Sequence, residues 1–171
     1  MLTLFSIIYG PLVIWLTDSF SEKTSAVVVL ALSGVLIIMH AAKRNPVWII
    51  PFVYFLISLS TLFFGKIVWL QFGPLAVSLG VAILLSMRVT TTLLVKNFVK
   101  NQRFFPNIKE EQIFFTAPIW MFSAWINVLL HVGFLIFASR WLWAFYVSVG
   151  WYTVFALGAI LCIYLQKRRY G

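Results

Sequence analysis

Five of the side chains that can form hydrogen bonds in one apolar stretch, residues 113–139, follow a regular spacing. They recur every three or four positions, which is the spacing of one face of an α-helix. They are Thr116, Trp120, Ser123, Asn127 and His131. Polar groups in hydrocarbon lose their hydrogen bonds to water and must find other partners. We therefore predict that this face, the polar face, turns toward the rest of the protein.

Two roles fit the polar face. The first is structural, since hydrogen bonds between membrane helices each contribute about 1 kcal/mol to their association. The second is a polar lining for a lipid headgroup, a small ligand or a proton. We favour the structural role and keep the second as the alternative.

Groups that commonly carry catalysis or bind metals are scarce in the chain. The four acidic residues fall in loops or at helix ends: Asp18, Glu22, Glu110 and Glu111. A carboxylate proton relay or Na⁺ site within the membrane therefore lacks its usual parts. No Walker loop, HExxH motif or Cys/His cluster with metal spacing occurs. We predict a non-enzymatic protein without cofactor or metal, and leave open an active site shared with a partner chain.

The composition identifies the solvent of these residues as lipid. The chain has 171 residues, of which 63% are hydrophobic and 10% charged, whereas about a quarter of the residues in a soluble domain are charged. Helices and closed barrels are the only structures that span lipid, and no alternating ten-residue barrel pattern occurs. We predict an all-α, polytopic transmembrane helix bundle that forms a single domain over residues 1–171.

Six apolar segments are long enough to be considered as spans. They cover about residues 2–17, 25–42, 47–65, 67–87, 113–139 and 141–166. The first is short for a bilayer and contains Gly10-Pro11, which favours a kink or the close approach of a neighbouring backbone. We therefore predict six spans, or five if the first segment does not cross.

The loop charges predict the orientation. If six segments span, ten Lys and Arg residues share a side with both termini, and three lie on the other side. This positive-inside bias places both termini in the cytoplasm. The net charge of +9 is distributed between apolar segments rather than gathered in one patch, so nucleic acid is not an expected partner.

The longest connection carries an amphipathic pattern. Over about residues 90–105, apolar side chains share one arc of a helical wheel, and Lys96, Lys100 and Arg103 lie opposite. This pattern predicts an interfacial helix whose cations contact the anionic headgroups of the inner leaflet. The alternative is that the fourth helix simply continues into the cytoplasm.

Aromatic residues and a repeated pentapeptide give two further hints. Trp48, Trp69, Trp141, Trp143 and Tyr170 lie at segment ends, which is typical of the aromatic belts at membrane interfaces. Tyr9-Gly-Pro-Leu-Val is echoed by Phe72-Gly-Pro-Leu-Ala. Because the first and fourth helices would run in opposite directions, the echo is compatible with an inverted repeat, an architecture of many transporters.

Several spacings in the second half of the chain resemble a known protein family. Pro106 follows Thr92-Leu-Leu by fourteen residues, Trp120 follows Pro106 by fourteen, and Asn127 follows Trp120 by seven. The segments Trp143-Ala-Phe-Tyr and Tyr164-Leu-Gln-Lys-Arg-Arg complete the pattern. The chain resembles a largely uncharacterised family of small bacterial inner-membrane proteins, which is similar to proteins encoded beside aryl-polyene and fatty-acid-type synthesis genes. It also distantly resembles intracellular septation protein A.

The chain departs from that family at two places. Phe104-Phe-Pro-Asn and the single Lys109 stand where a Pro-rich, acidic-to-basic run is expected. Ile163 stands where the family often carries Glu. If that Glu has a mechanistic role in the family, this chain lacks the corresponding step.

The resemblance implies a function in the bacterial inner membrane. It implies support of cell-envelope or lipid-linked metabolism, through a membrane-protein partner or a homo-oligomer and without catalysis. The alternatives are a small carrier or flippase for a lipid or acyl product, and an accessory subunit of an exporter or acyltransferase. The expected partners also include membrane lipids on the cytoplasmic side.

Overall fold

The structure is a computed structural model that describes residues 2–42, 48–66, 68–87 and 110–170. Of these residues 95% are helical, and no strand occurs among them. The prediction of an all-α chain with six helices is therefore confirmed. The predicted interfacial helix over residues 90–105, with Lys96, Lys100 and Arg103, lies outside the described residues.

The six helices coincide with the six apolar segments. Their bounds are α1 Leu2–Ser19, α2 Glu22–Ala42, α3 Ile49–Phe64, α4 Val68–Ser86, α5 Glu110–Phe137 and α6, which begins at Arg140. The last helix has three consecutive parts: α-helical Arg140–Phe145, π-helical Tyr146–Gly150 and α-helical Trp151–Tyr170.

Four of the helices are long and apolar enough to cross a membrane. They are α2, α4, the Phe115–Phe137 part of α5 and the Arg140–Arg169 part of α6. The apolar helices Phe5–Ser19 and Ile49–Phe64 are shorter. The structure thus supports the expected helical membrane protein, and the crossing of α1 and α3 stays a prediction.

Two helix ends follow directly from the residues there. Gly65 ends α3 in the left-handed conformation with φ 62°, and its N–H donates to the Thr61 carbonyl at 2.9 Å. Glycine adopts this conformation without a steric penalty. At the start of α6, the Ser139 side chain accepts a hydrogen bond from the Leu142 N–H and so caps the first turn.

The helices group into two compact units. The first comprises Met1–Val77 and His131–Gly150, and the second comprises Ser78–Leu130 and Trp151–Gly171. The expectation of a single domain stays a prediction.

The first unit has an aromatic and aliphatic core. Its buried members are Tyr9, Val13, Ile14, Leu16, Val29, Tyr54, Leu70, Trp143, Ala144 and Val147. Helices α1 and α6 approach closely here, because a Cβ on Gly10 would lie 2.6 Å from the Ala144 carbonyl oxygen. Small residues permit such close crossings of membrane helices.

Helices α2 and α3 also pack in the first unit, through faces rich in small and hydroxyl residues. The Ser33 hydroxyl donates to the Val29 carbonyl, and the Ser58 hydroxyl donates to the Tyr54 carbonyl, each at 2.8 Å. A serine that bonds its own helix in this way is compatible with an apolar environment. These serines therefore allow close packing without leaving an unsatisfied hydroxyl.

The prediction that Trp143 belongs to an interfacial aromatic belt is wrong. Trp143 lies near the start of α6, as predicted, but its side chain is buried in the core of the first unit. Trp48, Trp69 and Trp141 are exposed. Position at a segment end therefore did not separate a core tryptophan from those on the surface.

The second unit brings together parts of α4, α5 and α6. The Trp125 indole N–H donates to the Ser86 hydroxyl at 3.0 Å, which joins α5 to α4. A Cβ on Gly158 would lie within 2.5 Å of the Ser123 hydroxyl oxygen, so α6 approaches α5 closely at this glycine. This unit is held partly by polar contacts, and its buried side chains among the described residues are mostly small or polar.

Candidate functional site

The polar face of α5 is buried, as the sequence predicts. Thr116, Ser123, Asn127 and His131 are each no more than 6% exposed, and Trp120 is half-buried. Pro118 interrupts the backbone hydrogen bonds of this helix without ending it. Helical spacing alone was thus sufficient to identify which side of α5 turns away from the surroundings.

Asn127 lies at the centre of the polar contacts in the second unit. Its side-chain amide donates a hydrogen bond to the Ser78 hydroxyl on α4 at 3.0 Å, and this bond is buried. The sequence did not predict Ser78 as a site residue, because a single serine in an apolar helix is not distinctive. The bond joins α4 to α5 away from the protein surface.

Two neighbours of Asn127 on the polar face contact α6. Ser123 lies against Gly158, where the absence of a side chain makes room for the hydroxyl. Trp120 stacks on Phe155, with ring centroids 6.4 Å apart and planes inclined by 22°. The polar face is therefore filled by neighbouring helices at these two positions, which favours the structural role.

His131 belongs to the first unit, whereas the other four predicted residues belong to the second. Its ring meets the edge of Tyr146 at a centroid distance of 4.9 Å. On α5, one turn further along, Phe134 stacks on Tyr146 at 4.5 Å with nearly parallel planes. His131 is thus part of an aromatic cluster in the first unit.

The π-helical part of α6 contains a buried hydroxyl. Ser148 is almost fully buried, and its oxygen has no hydrogen-bond partner among the residues that the structure describes. Isolated π-helical turns within α-helices are frequent at functional sites. No sequence signal indicated the π-helical turn, since residues 146–150 are compatible with an ordinary helix.

A tyrosine completes the hydrogen bonds of α4 where a proline interrupts them. In an α-helix the N–H of residue 74 would bond the carbonyl of Leu70, but Pro74 has no N–H. The buried Tyr9 hydroxyl donates to that carbonyl at 2.7 Å. Gly73 makes room for this arrangement, because a Cβ there would lie 2.8 Å from the Tyr54 ring.

The Tyr9 bond links the first echoed pentapeptide to Leu70, two residues before the second pentapeptide begins. Tyr9 opens the first, and Gly73-Pro74 belongs to the second. A carbonyl left open by Pro74 could be inferred from the sequence, but the identity of its donor could not. The inverted repeat itself stays a prediction.

A charged cluster joins two helix ends in the first unit. The Arg140 guanidinium donates to the Asp18 carboxylate at 3.0 Å and also to the Thr17 hydroxyl. Asp18 and Arg140 are each half exposed, and an exposed ion pair of this kind contributes at most about 1 kcal/mol. The cluster places the end of α1 beside the start of α6.

Within the described ranges, no three His, Cys, Asp or Glu side chains are grouped so that they could hold a metal ion. Cys162 is buried and forms no disulfide. Compared with protein families, curated proteins and solved structures, the chain has no match in any of the three.

Proposed function

We propose that this chain is a multi-pass protein of the bacterial inner membrane that acts by binding other membrane proteins. Its termini face the cytoplasm, and it supports cell-envelope or lipid-linked metabolism without catalysing a reaction itself. The family resemblance suggests the pathway. The arrangement of polar groups suggests the mode of action.

The observation that carries the proposal is the internal hydrogen bond between Asn127 and Ser78. The most polar side chain of the predicted face is engaged in holding α4 to α5. Large apolar side chains such as Ile38 on α2, Phe63 on α3 and Leu129 on α5 are exposed. Such surfaces associate with other membrane helices through close packing, because lipid and helix are equally apolar.

The ion pair between Asp18 and Arg140 is compatible with the six-span topology. In that topology the end of α1 and the start of α6 lie on the same, extracytoplasmic side. The pair joins these two ends in the first unit.

Co-purification of the tagged full chain from its native membrane tests the proposal. We expect a membrane protein to be recovered in constant stoichiometry. Replacing Ile38, Phe63 and Leu129 one at a time by Ser should identify the contact, because one variant should lose the partner and keep its unfolding temperature. Asn127→Leu is the matched internal control and should lower the unfolding temperature while the folded fraction retains the partner.

Recovery of the chain with lipid alone, in all variants, would contradict the proposal. A soluble chain that is not retained in the membrane after alkaline extraction would contradict its premise. These two results separate the partner from the membrane location.

The second candidate is a small carrier or flippase for a lipid or acyl product. The observation that favours it is the buried Ser148 hydroxyl in the π-helical turn, which has no hydrogen-bond partner among the described residues. Purified protein in liposomes should then move a labelled lipid between leaflets, and Ser148→Ala should slow this movement. Folded protein that leaves the labelled lipid in place would exclude the carrier.

A further inference from the structure

One exposed face of α6 changes in chemical character along its length. Its side chains recur every three or four residues and form what we call the α6 stripe: Leu157, Ile160, Leu161, Tyr164, Lys167 and Arg168. Leu157 and Ile160 are each 62% exposed, Leu161 is 47% exposed and Tyr164 is 60% exposed. The stripe passes from aliphatic side chains through a phenol to two cations.

The opposite face of α6 is occupied within the second unit. Phe155 stacks on Trp120, and Gly158 lies against Ser123. At the end of the helix, the Arg169 guanidinium lies 4.6 Å from the centre of the Phe115 ring. Arg169 is thereby directed toward α5, whereas Lys167 and Arg168 lie on the exposed face.

The length of the stripe matches one leaflet of a bilayer. Ten residues separate Leu157 from Lys167, which corresponds to about 15 Å of α-helix. The hydrocarbon of one leaflet is also about 15 Å thick, half of the ~30 Å core. When the cations lie at the headgroups, Tyr164 lies at the interface, where tyrosine is enriched, and the aliphatic residues lie among acyl chains.

The charges select the kind of lipid. Lys167 and Arg168 are exposed, and neither forms an ion pair with Asp18 or Glu22, the carboxylates whose side chains the structure describes. Each Lys or Arg near an anionic leaflet attracts acidic headgroups. A lipid with a net negative charge offers acyl chains to the aliphatic end of the stripe and an anionic headgroup to its cationic end. The headgroup of a zwitterionic lipid also carries a cation, which Lys167 and Arg168 repel.

We propose that the α6 stripe binds one anionic phospholipid of the cytoplasmic leaflet. Its acyl chain lies along Leu157, Ile160 and Leu161, and its phosphate contacts Lys167 and Arg168. This inference rests on the proposed membrane location and orientation, and does not depend on a protein partner.

Native mass spectrometry of the full chain, titrated with phosphatidylglycerol in detergent, tests the affinity. Neutralising the pair with Lys167→Gln and Arg168→Gln should weaken the tightest lipid site by about fivefold for each cation, since each contributes ~1 kcal/mol. The charge-matched control is Lys23→Gln with Lys66→Gln, two exposed lysines elsewhere in the chain. The control should leave the affinity within twofold of the unmodified protein.

A direct location experiment keeps the test independent of variant folding. Phosphatidylglycerol with a photoreactive group in its acyl chain is incorporated into vesicles of phosphatidylcholine that contain the unmodified chain. We expect labelling at residues 157–161. An excess of unlabelled phosphatidylglycerol should suppress it, and added phosphatidylcholine should not.

Three results would overturn the lipid proposal. Equal losses of lipid affinity in the stripe variant and in the Lys23/Lys66 control would show that the lipid responds to net charge and not to the stripe. Labelling confined to other helices would place the lipid elsewhere. Dimers in which the stripe is protected from the label would put a second copy of the chain there.

Failure of the membrane premise is distinguishable from these results. A chain that alkaline extraction removes from the vesicles contradicts both proposals. A chain that stays in the vesicles without label on the stripe contradicts the lipid site alone.

Discussion

The two units join their helices by different means. In the first, Gly10 allows the backbones of α1 and α6 to touch, and bulky rings such as Tyr54 and Trp143 fill the remaining space. In the second, the Asn127 amide bonds Ser78 and Trp120 stacks on Phe155. One unit therefore depends mainly on the fit of volumes, and the other depends more on specific polar and aromatic contacts.

Both means compensate for a hydrophobic effect that is weak between helices already surrounded by lipid. Association then requires either very close packing or interhelical hydrogen bonds. A closely packed contact is destabilised by any added atom. A hydrogen-bonded contact is destabilised more by the loss of a donor or acceptor than by a change of side-chain volume. Substitutions that add one methyl group or remove one polar group should therefore have different effects on the stability of the two units.

The largest effect is expected when a methyl group is added to Gly10. In Gly10→Ala the new Cβ would lie 2.6 Å from the Ala144 carbonyl oxygen, so the two backbones must separate. We expect a loss of about 3 kcal/mol in the free energy of unfolding, measured by denaturant unfolding in detergent. Gly80→Ala is the matched control, because nothing lies within 4 Å of its Cβ. Equal stability of the two variants would contradict the close contact.

The next effect concerns the carbonyl that Pro74 leaves without its usual N–H donor. Tyr9→Phe removes the hydroxyl that donates to Leu70, and a buried acceptor without a partner costs about 2 kcal/mol. Pro74→Ala restores the backbone N–H, so the Tyr9→Phe substitution should cost much less in that background. Thermal unfolding of the four combinations measures this rescue.

The rescue distinguishes the hydrogen bond from simple packing. If Tyr9→Phe is equally destabilising with Pro74 and with Ala at that position, the hydroxyl does not act through the Leu70 carbonyl. Tyr164→Phe provides the exposed control, and it should leave the unfolding temperature unchanged.

The smallest effect is expected for the polar pair of the second unit. A double-mutant cycle with Asn127→Leu and Ser78→Ala should give a coupling free energy of about 1 kcal/mol, within the range measured between membrane helices. Denaturant unfolding of the four proteins gives the value. A coupling near zero would contradict the hydrogen bond. A coupling above that of Tyr9 with Pro74 would reverse the proposed order of the two units.

Local rules in the sequence predicted the helices and the buried face of α5. A polar group in an apolar helix must turn inward wherever that helix lies, so Ser123 and Asn127 could be assigned to the buried face without knowledge of their partners. Those partners, Ser78 and Gly158, depend on which helices become neighbours. Small and hydroxyl residues at such spacings are common in apolar helices, so nothing in the sequence distinguished these two.

Trp143 and Pro74 mark the limits of the same reasoning. The sequence position of Trp143 is that of an interfacial residue, and only packing against α1 makes it part of a core. Pro74 made an open carbonyl foreseeable, because the rule for helical hydrogen bonds is local. Its donor comes from a tyrosine about sixty residues earlier, and no local rule selects one.

The contact between Gly10 and Ala144 joins residues that are made at very different times. They are 134 positions apart in the sequence, so at ~5–20 residues per second their synthesis is about 7–27 seconds apart. During this interval the glycine face of α1 has no permanent neighbour and remains open to lipid or to the insertion machinery. A nascent chain held before residue 140 would therefore expose the glycine face of α1 to non-native contacts. Packing of α6 against α1 would be the step that covers this face.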